Sequence, residues 1–260
     1  MCYCADFEKL RWVNGQHIRA MDPKVLTPRV IAAMTTGDQP ILDPAVYGTA
    51  PSDIYTKLVD GSKEKAFIAL ATKIAQRDME LIVETNKFVG YCLTHDLEGS
   101  LHSDGEIAEV LEEPAFEMVI KAIVADFDAG TFPTGSAEEI PAQWKAYVKD
   151  LGKRLGLKGK TLFHPARLAL TGRMSGPDIG DQLQLAKAAE GVVLSSYPLA
   201  DIKSRIEVLR AFNLEHAKAT AAATKARLAE EARLKAEQAA IDAAAAAVAV
   251  VEDEPALVDQ

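Results

Sequence analysis

The sequence predicts an all-α fold: two compact helical units followed by an extended helical tail. Three observations carry that prediction. Nearly every periodic segment repeats its apolar residues at spacings of three and four. No segment alternates with the period of a strand. From about Glu215 onward Ala, Glu, Lys and Arg dominate with no broad apolar stripe, which reads as a solvated helix of high intrinsic propensity. A chain of 260 residues has room for one large domain or two small ones, and 48% apolar residues can support a core.

The elements follow in order. Phe7, Leu10, Val13 and Asn14 share one face of a short N-terminal helix, with Gly15 after it. Pro28 fits the first turn of a second helix, where its missing N–H is harmless. Residues 36–53 carry Pro40, Pro44 and Pro51 and read mostly as loop. Residues 62–76 are amphipathic through Phe67, Leu70 and Ile74, and 79–93 form one more helix or two short ones. Residues 105–129 continue the pattern, broken at Pro114.

Residues 130–143, with Gly130, Pro133, Gly135 and Pro141, read as a hinge or domain boundary. Residues 143–155 then form a helix with Trp144, Tyr147, Val148, Leu151 and Leu155 on one side. Residues 156–160 are a basic turn, Pro165 fits another helix first turn, and Gly172 suits the position just past a helix end. Gly176-Pro177-Asp178 repeats the start signal, and 195–212 end the globular part. Four regions result: 1–60, 61–133, 134–212 and a 213–260 tail whose acidic end reads as disordered.

Composition excludes several classes. No apolar run approaches the ~20 residues that span a bilayer. The first residues resemble neither a secretory signal nor a transit peptide. Three cysteines point to a reducing compartment, and Cys2-x-Cys4 has no second pair to complete a zinc site, so no metal is expected. The net charge of −9 argues against a nucleic-acid binder, but the charge is segregated. Between Asp96 and Glu139 twelve acids face Lys121 alone. Between Trp144 and Arg173 eight cations face Asp150 alone. One reading is two solvated faces of opposite sign; the other is a polyanion site at 144–173 beside a stretch that stays off the polyanion.

Two segments carry a resemblance. Lys9-Leu10-Arg11-Trp12-Val13-Asn14-Gly15-Gln16-His17-Ile18 fits K-L-x-W-x-N-x-x-[YH]-[IL]. Gly156-Leu157-Lys158-Gly159-Lys160-x-Leu162-Phe163-x-Pro165-x-Arg167-x-Ala169-Leu170-Thr171-Gly172, then Gly176-Pro177, forms the second. Both resemble the glutamyl-tRNA synthetases, with the flavour of the cyanobacterial and plastid enzymes. The first is similar to the family's stem-contact region just after its catalytic half, and the second to its C-terminal anticodon-binding domain. The resemblance spans roughly residues 5–212 and departs from the family's usual Leu at Ala166.

It implies helical anticodon-binding domains, tRNA for glutamate as partner, and a chloroplast location, otherwise the cytoplasm. It also exposes what the chain lacks. The family activates glutamate with ATP through a HIGH-type loop and a KMSKS-type loop, and neither is present in these 260 residues. The sequence therefore predicts a chain inactive by itself. ATP would enter only with a catalytic half supplied separately, no cofactor is expected in this chain, and no membrane is involved. A truncated copy and a genuine short protein both fit, as does a repurposed helical adaptor or a regulatory tRNA-binding protein.

The resemblance implies that Arg167 contacts the anticodon, and guanidinium chemistry suits unstacked loop bases. An interior ion pair to the acidic stretch is the alternative. Arg173, His164 and Arg77 complete the anticodon set. Lys145, Lys149 and Lys153 step by four along one helix side, and with Arg154, Lys158 and Lys160 they suit phosphate contacts that position without specifying. Arg11 and Arg19 are candidates for the tRNA stem. Trp144, Trp12 and Leu10 are expected in the core.

Overall fold

The structure is a computed structural model that describes residues 6–36, 40–47, 58, 61–192, 194 and 199–252. Among these residues the regular elements are all helices, joined by turns and loops, and the one β pairing is an isolated bridge between Leu42 and Leu194. The helices are α1 (Phe7–Ala20), α2 (Pro23–Thr35), α3 (Pro44–Tyr47), α4 (Lys63–Asp78), α5 (Thr85–Leu93), α6 (Leu97–Leu101), α7 (Ile107–Glu112), α8 (Pro114–Asp128), α9 (Ile140–Leu155), α10 (Lys160–Thr171), α11 (Ile179–Ala188), α12 (Ile202–Ala211) and α13 (Leu214–Glu252). A single 3-10 turn, Ile82–Glu84, precedes α5.

Local chemistry sets the starts. Asp6, Asp22, Ser62, Asp96, Asp178 and Asp201 each accept from a backbone N–H of the first turn, the usual answer to the unpaired donors at a helix start. Pro114 opens α8 at its first position, so the expected break falls there. Gly156 (φ +68°) and Gly172 (φ +70°) close α9 and α10 in the left-handed conformation.

Packing gives two cores. One gathers α2, α4 and α5 around Leu26, Ile31, Phe67 and Leu93. The other gathers α6 to α10, α12 and the start of α13 around Leu111, Phe116, Trp144 and Leu168. Helix α11 serves both: Ile179 and Leu183 enter the second core, Leu185 and the capping Ala189 the first. Trp144 is core, as expected, at 4% exposure. Burying it with Tyr147, Val148 and Leu151 ties α9 down by roughly 2 kcal/mol per side chain.

Several sequence expectations change. Helix α1 runs through Gly15 and buries Gly15 and Ile18 rather than its first turns. Phe7, Leu10 and Trp12 are therefore exposed, at 76%, 55% and 56%, so Leu10 and Trp12 are not core. Pro28 and Pro165 lie inside α2 and α10, not in first turns, at the loss of one ladder bond each. Residues 130–139 are no boundary between cores. Phe132 is buried edge-on to Phe127 and Tyr147, and its core continues on both sides. The cores divide near residue 95 instead, with α11 between them.

Helix α13 packs its first turns through Ala217, Ala221 and Thr224. Lys225 bonds to Glu109 at 2.8 Å and Arg227 donates to the His102 carbonyl at 2.9 Å. Residues 229–243 are exposed on every side and carry their own ion pairs, such as Arg233 with Glu230. The helical tail is thus as expected, while its acidic end, 253–260, lies outside the described residues, as do Cys2 and Cys4.

Candidate nucleic-acid interface

Helix α9 is amphipathic in two senses. Its apolar side is buried, and its opposite side presents Lys145, Lys149 and Lys153 to solvent at four-residue spacing. Lys158, in the turn after α9, and Lys160, at the start of α10, are exposed beside them. None of these five lysines has an acidic partner among the described residues. Five unpaired ammonium groups on one connected stretch can neutralise five phosphates.

Arg154 differs. It reaches Asp126 on α8 at 2.5 Å and Asp150 on its own helix at 2.8 Å. The hydrogen bond to Asp126 is the main reason its guanidinium is held above its ordinary range. Asp126 also accepts from the Tyr147 hydroxyl at 2.8 Å, and burial pushes that hydroxyl up. Arg154 therefore joins α9 to α8, so the guanidinium that the sequence offered to phosphate is already engaged within the fold.

Past α10 the chain makes a loop of residues 173–178. Arg167 lies in the second half of α10, not early in a helix as the Pro165 signal implied. It is half-exposed and donates to the Gly176 and Pro177 carbonyls at 3.3 and 2.9 Å. No carboxylate pairs with it among the described residues, so the interior ion pair does not form. Arg173 lies over the Tyr91 ring, 4.1 Å from its centroid. The Tyr91 hydroxyl donates to the Ser175 carbonyl. A side chain at Gly176 (φ +123°) would meet the Tyr91 ring, so glycine is required there. Two half-exposed guanidiniums with one loop between them offer planar faces and edge donors to an unstacked base.

The loop borders an open cleft of about 720 Å³, lined also by Arg11, Arg19, Arg77, Lys87 and Tyr91. The fold thus brings three candidates from distant parts of the chain to one place, but two of them are already paired. Arg11 bonds to Glu84 and Glu80 at 3.1 and 3.2 Å. Arg77 bonds to Asp78 at 2.7 Å and to Asp181 on α11 at 2.6 Å. The Arg19 guanidinium donates to the Arg77 carbonyl at 3.5 Å and pairs with no carboxylate among the described residues. His164 lines a different cleft, with Glu106, Glu109, Glu113 and Lys160, which neither Arg173 nor Arg77 lines.

Sequence reasoning passed over Tyr91, whose value lies in a contact 82 positions away, and Arg205, buried beneath the loop. For Tyr91 no local pattern signals the contact. For Arg205, a lone arginine among Ile202, Ile206 and Leu209 was a cue. Among the described residues no group of His, Cys, Asp or Glu is arranged to hold a metal ion, and no helix is long and apolar enough to cross a membrane.

Residues 63–190 match the family described as the anticodon binding domain, so α4 to α11, the exposed lysines and the 173–178 loop all lie within the match. The chain is also similar to a glutamate–tRNA ligase of Heliobacterium modesticaldum, 27% identical over 207 residues, covering 75% of this chain and 37% of that protein. The glutamate–tRNA ligase of Bacillus subtilis is 25% identical over 185 residues, 69% of this chain and 32% of that protein. A shorter stretch of 82 residues is 38% identical to glutamate–tRNA ligase 2 of Beijerinckia indica, 32% of this chain and 16% of that protein. The chain spans about a third of the length of the first two relatives.

Proposed function

We propose that this chain, an anticodon binding domain over residues 63–190 with flanks similar to glutamate–tRNA ligases, is the tRNA-binding, anticodon-recognising part of such a ligase. The observation that carries the reading is the pairing of two surfaces within that domain. Five lysines without acidic partners among the described residues lie on and just after α9, and two half-exposed guanidiniums flank the loop after α10. The lysines hold phosphates and fix register; Arg167 and Arg173 meet the bases. Arg11, Arg77 and Arg154 serve as internal ties that keep α1, α11 and α8 in place.

The favoured tRNA is that for glutamate, in keeping with the names of the relatives. Activation of glutamate with ATP belongs to a catalytic half with the HIGH- and KMSKS-type loops, and this chain supplies specificity to it. A plastid setting rests on the flavour of residues 156–177 alone.

The test is binding of the purified chain to a glutamate tRNA transcript and to one with a changed anticodon, at two salt concentrations. Salt-sensitive binding that weakens with the anticodon change, and again with Arg167→Ala, is the expected result. Binding that ignores the anticodon reduces the protein to an electrostatic tRNA platform. No binding at low salt overturns the reading in favour of a helical adaptor.

A further inference from the structure

Beneath the recognition loop lies a charged side chain with no carboxylate partner among the described residues. Arg205, in the first half of α12, is completely buried. Its Nε donates to the Ala200 carbonyl at 2.9 Å, Nη1 to Leu170 at 2.7 Å and Nη2 to Cys92 at 2.8 Å. Leu170 and Cys92 are in the last turns of α10 and α5. Carbonyls there have no partner within their own helix and carry the negative end of its dipole. Two helix ends thus stand where a carboxylate would. Burial pushes the guanidinium down to about 10, which leaves it charged at neutral pH.

Other contacts tie the same two segments. The Ala200 N–H donates to the Leu93 carbonyl at 2.8 Å. The His95 Nε2 bonds to the Ala169 carbonyl at 2.8 Å. Gly172 lies so close to the backbone of Asp96 and Leu97 that a Cβ would approach within 2.8 Å. Tyr91 directly precedes Cys92, and Arg173 follows Leu170 by three residues. The two members of the Tyr91–Arg173 stack therefore hang from the two segments that one guanidinium holds together. For stability alone, a well-packed apolar side chain in place of a buried charged group is often as good. It would not hold two helix ends in one fixed register.

We infer that Arg205 is a positioning residue: by binding the Cys92 and Leu170 carbonyls at once, it sets Tyr91, Arg173 and the loop held by Arg167 in the arrangement that distinguishes one base from another. The inference rests on the anticodon-reading proposal. It is tested with the full chain and the two transcripts named above, comparing wild type, Arg205→Met and Arg205→Lys at a temperature where circular dichroism shows each folded.

The expected result for Arg205→Met is an anticodon preference reduced about tenfold, with the salt dependence of binding unchanged. Amide hydrogen exchange at 172–178 should rise while α9 stays protected. Arg205→Lys, which keeps the charge and part of the bonding, should recover part of the preference, and it carries the comparison if Arg205→Met does not fold. A variant that melts lower yet keeps the full preference overturns the inference and leaves Arg205 a purely structural group. A wild-type chain that ignores the anticodon overturns the parent reading, and this inference with it, in an arm that involves no variant.

Discussion

The outer side of α9 and the seam beside the 173–178 loop use cations in opposite ways. On α9, Lys145, Lys149 and Lys153 are exposed and have no acidic partner among the described residues. In the seam, Arg205 is completely buried and its donors reach three carbonyls, while Arg77 nearby is held by Asp78 and Asp181. The difference separates two kinds of charge that a residue count merges. Charge already paired inside the fold holds shape and has little left for a polyanion. Charge left unpaired in water contributes little to folding and is free to release counterions when phosphate arrives. Substitutions in the seam should therefore be read in stability and in the choice between anticodons, and those on α9 in overall affinity and its salt dependence.

The largest stability effect should come from Gly172→Ala. The position needs φ +70°, and a Cβ would lie 2.8 Å from the Leu97 nitrogen and 2.9 Å from Asp96 backbone atoms. Backbone strain and a clash with atoms that cannot rotate away add to roughly 4 kcal/mol. Denaturant unfolding measures it. A loss under ~1 kcal/mol would mean that the seam is loose and that the contrast with α9 is overdrawn.

The next effect is a pH dependence from the same seam. Burial pushes His95 down to about 4 from an ordinary 6.5, and its Nδ1 has no partner among the described residues. Between those values the unfolded chain holds the extra proton and the folded chain does not. The contribution of His95 is therefore complete above pH 6.5 and is lost as pH falls toward 4, by about 3 kcal/mol in all. Unfolding curves at pH 7, 5.5 and 4.5 should show that slope, and His95→Gln should flatten it. An unchanged slope in His95→Gln assigns the acid sensitivity elsewhere.

Arg77→Ala should matter less. Its side chain is about half exposed, so the pairs with Asp78 and Asp181 are partly screened. A loss of up to about 1 kcal/mol is expected, with little change in the salt dependence of tRNA binding. A large drop in salt dependence would place Arg77 with the α9 lysines instead.

How legible these two regions were follows from the range of the interactions. The α9 stripe is a four-residue repeat on one helix, and helix geometry alone puts Lys145, Lys149 and Lys153 together. Trp144 was legible as core for the same reason. The fate of the arginines was not. Arg154 is four residues from Asp150, but its closer partner, Asp126, lies 28 positions away, and Arg77 meets Asp181 across 104. Trp12 and Leu10 were misjudged because spacing shows which residues share a face and not whether anything covers that face. The boundary placed at 130–143 failed similarly: glycines and prolines mark a turn, whereas Phe132 makes that turn part of a core. Around Arg167 the resemblance implies a role that no local pattern suggests, and the pairing of Arg173 with Tyr91 needed the fold.

The smallest stability effect, and the most direct check on the outer region, belongs to Lys145→Gln, Lys149→Gln and Lys153→Gln combined. None has an acidic partner among the described residues, so the triple variant should unfold within ~0.5 kcal/mol of wild type. Binding should tell the opposite story. If each lysine neutralises one phosphate, the slope of log Kd on log salt should fall by about 2 to 3, with affinity lower for every tRNA alike. The preference between anticodons should survive, because phosphate contacts position without specifying. A triple variant that keeps both its salt slope and its anticodon preference would mean that the RNA lies elsewhere. One that loses anticodon preference while keeping its slope would mean that α9 reads bases, which places specificity on the stripe and leaves Arg167 and Arg173 as scaffolding.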